Sequence, residues 1–135
     1  GQDPDWLIEQ YAQMMRNAIK DRPDDMTIAM HLCRGNFQST WVADGAYDPV
    51  ADTIFTQTDV DVFFLEYDTE RAGGLAPLRL LPKGNQRIMV GFITTKSSEL
   101  ESVDSLVKKF DEASNFVDLN QLFNSFNLNV LNGAL

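Results

Sequence analysis

Met26-Thr-Ile-Ala-Met-His-Leu-Cys33 is a short, mostly apolar run bounded by Pro23-Asp24-Asp25 before it and Arg34-Gly35-Asn36 after it. That pattern predicts a strand covered on both faces. Two further runs have the same character, Asp61-Val-Phe-Phe-Leu-Glu66 and Arg87-Ile-Met-Val-Gly-Phe-Ile93. Each delivers its reactive side chains at the C-terminal end: His31 and Cys33, then Glu66, then Lys96 just beyond the third run.

Helical patterns alternate with these strands. Asp3 precedes Pro4, and Trp6, Ile8, Tyr11, Met15, Ala18 and Ile19 follow at mostly helical spacing until Arg22-Pro23 forces an exit, which predicts a helix over Pro4 to Lys20. A long connection runs from Gly35 to about Asp48 and carries Trp41, a ligand platform or a loop anchor; Pro49 then opens a helix to about Thr56. Leu75 to Leu81 reads as a short helical piece. Ser98-Glu-Leu-Glu101 opens a helix with Leu100, Val103, Leu106, Val107 and Phe110 on one apolar stripe, and Phe116-Val-Asp-Leu119 reads as a short fourth strand. After it, Asn124 to Gly133 alternates apolar residues with asparagines and shows no clear period.

Buried strands alternating with helices imply parallel βαβ units. A doubly wound nucleotide-binding sheet usually carries a glycine-rich first turn, and neither GxGxxG nor GxxxxGK[ST] is present. Reactive residues at successive strand C-termini fit a (β/α)8 barrel instead. The expected fold class is therefore α/β, a partial TIM barrel of about three to four βα units. Its sheet would have two unpaired edges, to be completed by a missing barrel half or by self-association.

Composition narrows the function. The 135 residues are 44% hydrophobic and 23% charged, the profile of a soluble domain, and no apolar run approaches the roughly 20 residues of a membrane span. Eleven Lys plus Arg against twenty Asp plus Glu give a formal charge of −9, which repels nucleic acid and anionic lipid surfaces. One cysteine and no Asn-x-Ser/Thr sequon agree with a reducing cytoplasm.

In a strand, residues two apart face the same side, so His31 and Cys33 would converge. With Glu66 from the next strand they offer nitrogen, sulfur and oxygen donors, a set suited to zinc. The plainer readings stand beside this one. A lone cysteine in an apolar strand is often a small buried hydrophobe. Glu66 reads equally as a salt-bridge partner, Asp68, Glu70 and Arg71 as a solvated charged loop, and Lys96 as an exposed strand end.

Met30-His-Leu-Cys-Arg-Gly-Asn-Phe-Gln-Ser-Thr-Trp41, Phe64-Leu-Glu-Tyr-Asp-Thr-Glu-Arg-Ala-Gly73, and Gly91-Phe-Ile-Thr-Thr-Lys96 with Glu99-Leu-Glu101 together resemble the cobalamin-independent methionine synthase family, most closely its shorter, single-barrel branch. The resemblance covers about Pro4 to Leu122. It implies the C-terminal half of a barrel domain over residues 1–122, followed by a divergent tail over 123–135. It further implies methyl transfer from 5-methyltetrahydrofolate to homocysteine sulfur, with zinc as cofactor and His31, Cys33 and Glu66 as its ligands. The family's fourth ligand is a cysteine just beyond the position of Leu119-Asn-Gln-Leu122, and this chain reads Phe123-Asn-Ser-Phe-Asn-Leu-Asn-Val130 there. Three readings of this departure stand open: zinc held weakly by three ligands and water, a different residue in the fourth place, or altered sequence after a truncation or frame change. Two rival readings are a non-catalytic oligomerising or interaction module, and a metal-free barrel enzyme with Glu66 and Lys96 as acid and base.

Overall fold

The structure, a computed structural model, describes residues 1–35, 43–94 and 96–123. Trp41, most of the long connection and the asparagine-rich segment over 124–135 lie outside the described residues.

The first helix, α1 (Pro4–Ile19), begins where the sequence predicts. Asp3 accepts a hydrogen bond from the Asp5 amide at 3.1 Å and Pro4 occupies the first turn. Its inward stripe is Ile8, Ala12, Met15 and Ile19, while Trp6 and Tyr11, expected on that stripe, are 48% and 60% exposed. Strand β1 (Ala29–His31) follows, then α2 (Ala51–Gln57), β2 (Val62–Phe64), 3-10 turns at Glu70–Ala72 and Ala76–Leu80, and β3 (Arg87–Met89). The chain continues with α3 (Val103–Ser114), a 3-10 turn at Leu119–Gln121, and β4 (Leu122–Phe123).

Two expectations shift here. Ser102 caps α3 by accepting from the Ser105 amide, so Leu100 lies before the helix and is 95% exposed; of the predicted stripe only Leu106 and Phe110 pack on the core. Phe116–Leu119 is a turn rather than a strand, and the fourth strand forms three residues later at Leu122–Phe123.

All pairings are parallel and the order is β1-β2-β3-β4. Sequential parallel order with helices between strands is the arrangement of consecutive βα units in a barrel wall. β1 and β4 are edge strands, and β1 is correspondingly half open, Met30 being partly buried and Ala29 and His31 exposed, rather than covered on both faces. The ladders are short, yet contact continues past them, with Leu32 N donating to Phe64 O, Leu65 N to Met89 O and Tyr67 N to Val90 O. No helix among the described residues is long and apolar enough to cross a membrane.

The core lies behind β2 and β3. Phe63, Ile88, Val90 and Phe92 are buried with Phe55 and Leu78, and Phe55 meets Phe63 edge-on at 5.0 Å. Neutral side chains satisfy the backbone at the N-terminal ends of the strands. Gln86 Nε2 donates to Phe55 O and Val60 O, and buried Gln121 Nε2 donates to Pro82 O and Gln86 O.

Gly91 sets the opposite end. Its φ is +68°, and a Cβ there would collide with the Leu65 carbonyl oxygen and lie 3.2 Å from Glu66 Cα. Only glycine lets the chain leaving β3 pass this close to Leu65 and Glu66, the two residues that follow β2. Gly91→Ala is expected to lower stability by about 2 kcal/mol or more, measured by urea unfolding; a loss within about 0.5 kcal/mol, the range of an unconstrained surface change, would contradict the close approach.

Candidate functional site

The chain segments that leave β1, β2 and β3 meet at the C-terminal end of the sheet. His31 is the last residue of β1, in register with Phe64 of β2. Two residues further along each chain come Cys33 and Glu66. His31 and Cys33 are both exposed, and the Cys33 sulfur accepts from the Gly35 amide at 3.4 Å.

Between them and the core sits a lock built on Tyr47 and Arg34. The Tyr47 hydroxyl donates to Leu32 O and accepts from the Glu66 amide, both at 2.8 Å, spanning the two strands where their own ladder ends. Buried Arg34 lies over the Tyr47 ring at 4.4 Å, donates through Nε to Gly45 O at 2.6 Å and through a terminal nitrogen to Glu66 O at 3.1 Å. Burial pushes the Tyr47 hydroxyl's pKa above its ordinary value, against the opposing pull of its hydrogen bond from Glu66 and of Arg34, so it stays a neutral donor.

The Glu66 side chain is 12% exposed, and both its oxygens are engaged. Oε1 receives Lys96 Nζ, and Oε2 receives the Arg34 backbone amide at 2.9 Å. Lys96 Nζ also donates to Asp68 Oδ2 at 3.1 Å. Asp68 is more enclosed still, its side chain 2% exposed, with the Thr94 hydroxyl donating at 3.1 Å and Arg71 at 3.4 Å. Thr94 in turn accepts from the Lys96 amide at 3.1 Å, and its own amide donates to Glu101 Oε1 at 3.0 Å. Asp68, Arg71 and Lys96 are thus members of an enclosed charge cluster, not the solvated loop and exposed strand end that composition suggests; Glu70 is exposed as expected.

Of the three predicted metal donors, the fold brings Cys33 and Glu66 to matching positions on neighbouring strand ends and sets His31 one pleat behind. The donor set of imidazole, thiol and carboxylate fits zinc in kind. Among the described residues, however, no three of His, Cys, Asp and Glu gather into a group that could hold a metal ion, and Glu66 is bonded to Lys96 and Arg34. Sequence reasoning missed Arg34 and Tyr47, whose roles depend on backbone groups of other strands. The one available signal was Arg34 directly after Cys33, a charge inside an otherwise apolar strand exit. A cavity of about 480 Å³, lined by Arg16, Phe55, Asp59 and Gln86 among others, lies at the other end of the sheet, away from these groups.

No protein-family model matches the chain. It is 48% identical over 122 residues to the uncharacterized protein YxjG of Bacillus subtilis and 47% identical over 122 residues to YxjH of the same organism, matches that cover 90% of this chain and 32% of each relative. The chain therefore spans about a third of the length of the curated relatives it matches. A solved structure from Listeria monocytogenes, provisionally assigned as a vitamin-B12-independent methionine synthase, superposes with a TM-score of 0.72 at 37% identity, covering 92% of this chain and 35% of that one. A B12-independent methionine synthase from Shewanella, solved with selenomethionine, superposes at 0.63 with 17% identity over 87% of this chain and 37% of that one, a likeness of fold.

Asp68 generates a pH prediction. Burial pushes its carboxyl upward, but the Lys96 hydrogen bond and charge, the Thr94 hydroxyl and Arg71 outweigh it, and the net pKa is lowered. A carboxyl depressed on folding stabilises the protein above its unfolded value, about 3.9, and that contribution is lost as pH falls toward the folded value. Asp68→Asn is expected to destabilise clearly at pH 7, and its difference from wild type in urea unfolding should shrink as pH drops below about 4. A difference independent of pH would show that the Asp68 charge is not what the cluster uses.

Proposed function

We propose that this chain is the strand-end portion of a methyltransferase barrel of the cobalamin-independent methionine synthase kind, acting on homocysteine with a methyltetrahydrofolate as donor. The observation that supports the reading is that the His-x-Cys exit of β1 and Glu66 past β2 lie at matching positions on neighbouring strand ends, in a chain 37% identical to the Listeria structure. His31, Cys33 and Glu66 are the residues proposed to hold zinc. A zinc ion supplies, when bound, stabilisation of a substrate thiol as thiolate at neutral pH. The reaction itself forms a sulfur–carbon bond to the methyl group and breaks the nitrogen–carbon bond of the folate.

The chain's own residues contribute positioning. Tyr47 and Arg34 hold the two strand exits together, so Cys33 and Glu66 are presented from fixed backbone. The ion pairs of Lys96 with Glu66 and Asp68 orient both carboxylates. The third possibility, acid and base work by Glu66 and Lys96 without metal, is opposed by their pairing: with Asp68 they raise the Lys96 pKa above its ordinary value against the effect of burial, which makes the ammonium a poor proton donor near neutrality.

Elemental analysis after exhaustive dialysis tests the proposal. The expected result is about one zinc per chain, lost in Cys33→Ser with the far-ultraviolet circular dichroism unchanged. Zinc absent from the wild type, or retained undiminished in Cys33→Ser, would defeat the ligand assignment.

A second reading, self-association through the open sheet edges, is favoured by the exposed apolar side chains beside them. Trp6, Tyr11 and Met14 stand out from α1, and Val103, Val107 and Phe123 lie on α3 and β4. Light scattering decides it. A mass of twice 15.2 kDa, persisting on dilution, supports an assembly of two copies, and a mass of 15.2 kDa rejects it.

A further inference from the structure

The sheet has a second apolar face. Side chains alternate across a strand, so while Phe63, Ile88 and Leu122 join the core, Phe64, Met89 and Phe123 point the other way and stand outside the core cluster. These three are in register across β2, β3 and β4 and form one row, Phe64 half-buried and Phe123 exposed. We propose that a second copy of this chain covers that face: two four-stranded sheets, related by a twofold rotation about a common barrel axis, pair β4 of each copy with β1 of the other and close one eight-stranded barrel. The inference rests on the self-association reading and adds to it the surfaces that meet and their symmetry.

The two edges suit one another. All pairings are parallel and the strands run in sequence order, so β4 of one copy continues the sheet at β1 of the other with strand direction kept. A head-to-tail contact of this kind ends only where the rotation closes, and two sets of four strands close at eight, the number whose interior is just filled by side chains. On β1, Leu32 N donates to Phe64 O and Ile28 O accepts from Val62 N, so residues 28, 30 and 32 turn their backbone groups to β2. Alternation then directs the amide and carbonyl of Ala29 to the open side, where a neighbouring strand would use them. Arg87, the charged side chain on the inner face, is drawn to the Gly84 and Gln86 carbonyls at the rim.

The helices agree with closure. α3 lies between β3 and β4, and α1 precedes β1. Joining β4 to β1 therefore sets α3 of one copy beside α1 of the other. Those are the helices that carry exposed large apolar side chains, Val103 and Val107 on α3 and Trp6, Tyr11 and Met14 on α1.

Sedimentation equilibrium of the full chain tests this, at about 0.15 M salt so that repulsion between two copies of charge −9 is screened beyond about 8 Å. The expected mass is twice 15.2 kDa. Ala29→Pro removes one edge donor from each of the two interfaces and is expected to raise the dissociation constant about tenfold or more with unchanged far-ultraviolet circular dichroism. Val107→Glu, at a position exposed in the single copy, is expected to weaken the dimer likewise, and it carries the test should Ala29→Pro fail to fold. A dimer whose affinity neither variant changes would overturn the closed barrel while leaving self-association standing. A mass growing beyond two copies would overturn the twofold closure, and a wild type of 15.2 kDa would overturn both readings.

Discussion

One ammonium, that of Lys96, is shared between Glu66 and Asp68, and the C-terminal end of the sheet is organised around it. Past β2 the chain offers two carboxylates two residues apart, both largely enclosed. Such a pair is unfavourable unless compensated, and the compensation comes from the chain that leaves β3. For Lys96 to arrive, that chain must pass close to Leu65 and Glu66, which is why position 91 has no side chain and a positive φ. The charge cluster and the backbone turn are a single constraint seen from two sides.

The two ends of the sheet are consequently unlike. At the N-terminal end, buried amide side chains of Gln86 and Gln121 cap backbone carbonyls, a neutral arrangement suited to stability. At the C-terminal end, the Tyr47 hydroxyl, the Arg34 guanidinium and the Lys96 ammonium tie strand exits together through hydrogen bonds and ion pairs. The exposed His31 and Cys33 stand beside this second set. Barrel proteins commonly keep their chemistry at one end and their stability at the other, and the division of residue types here follows that pattern.

Much of the fold was legible because it follows from local rules. Pro4 after Asp3, the apolar runs ending at Cys33, Glu66 and Ile93, and the absence of a nucleotide-binding glycine motif lead to parallel βα units. What misled was pattern without tertiary context. Leu100 and Val103 complete a helical stripe on paper, but the Ser102 cap starts α3 after Leu100, and both side chains face outward. Phe116–Leu119 has strand composition, yet the strand forms at Leu122, where the buried Gln121 fixes the register against Pro82 and Gln86. The site was half visible. The spacing of His31, Cys33 and Glu66 could be read directly, whereas the partners of Glu66 come from Arg34 on one neighbouring strand exit and Lys96 on the other. No one-dimensional rule links positions thirty residues apart.

The central claim is that Lys96, Glu66 and Asp68 form one enclosed hydrogen-bonded cluster joining the ends of β2 and β3. Its most direct measurement is nitrogen-detected NMR of the lysine ammonium groups in the full chain. The account predicts a Lys96 ammonium signal whose protons exchange slowly and show couplings across the hydrogen bonds to the Glu66 and Asp68 carboxyl carbons. A Lys96 signal exchanging as fast as that of exposed Lys83, with no coupling to either carboxylate, would contradict it.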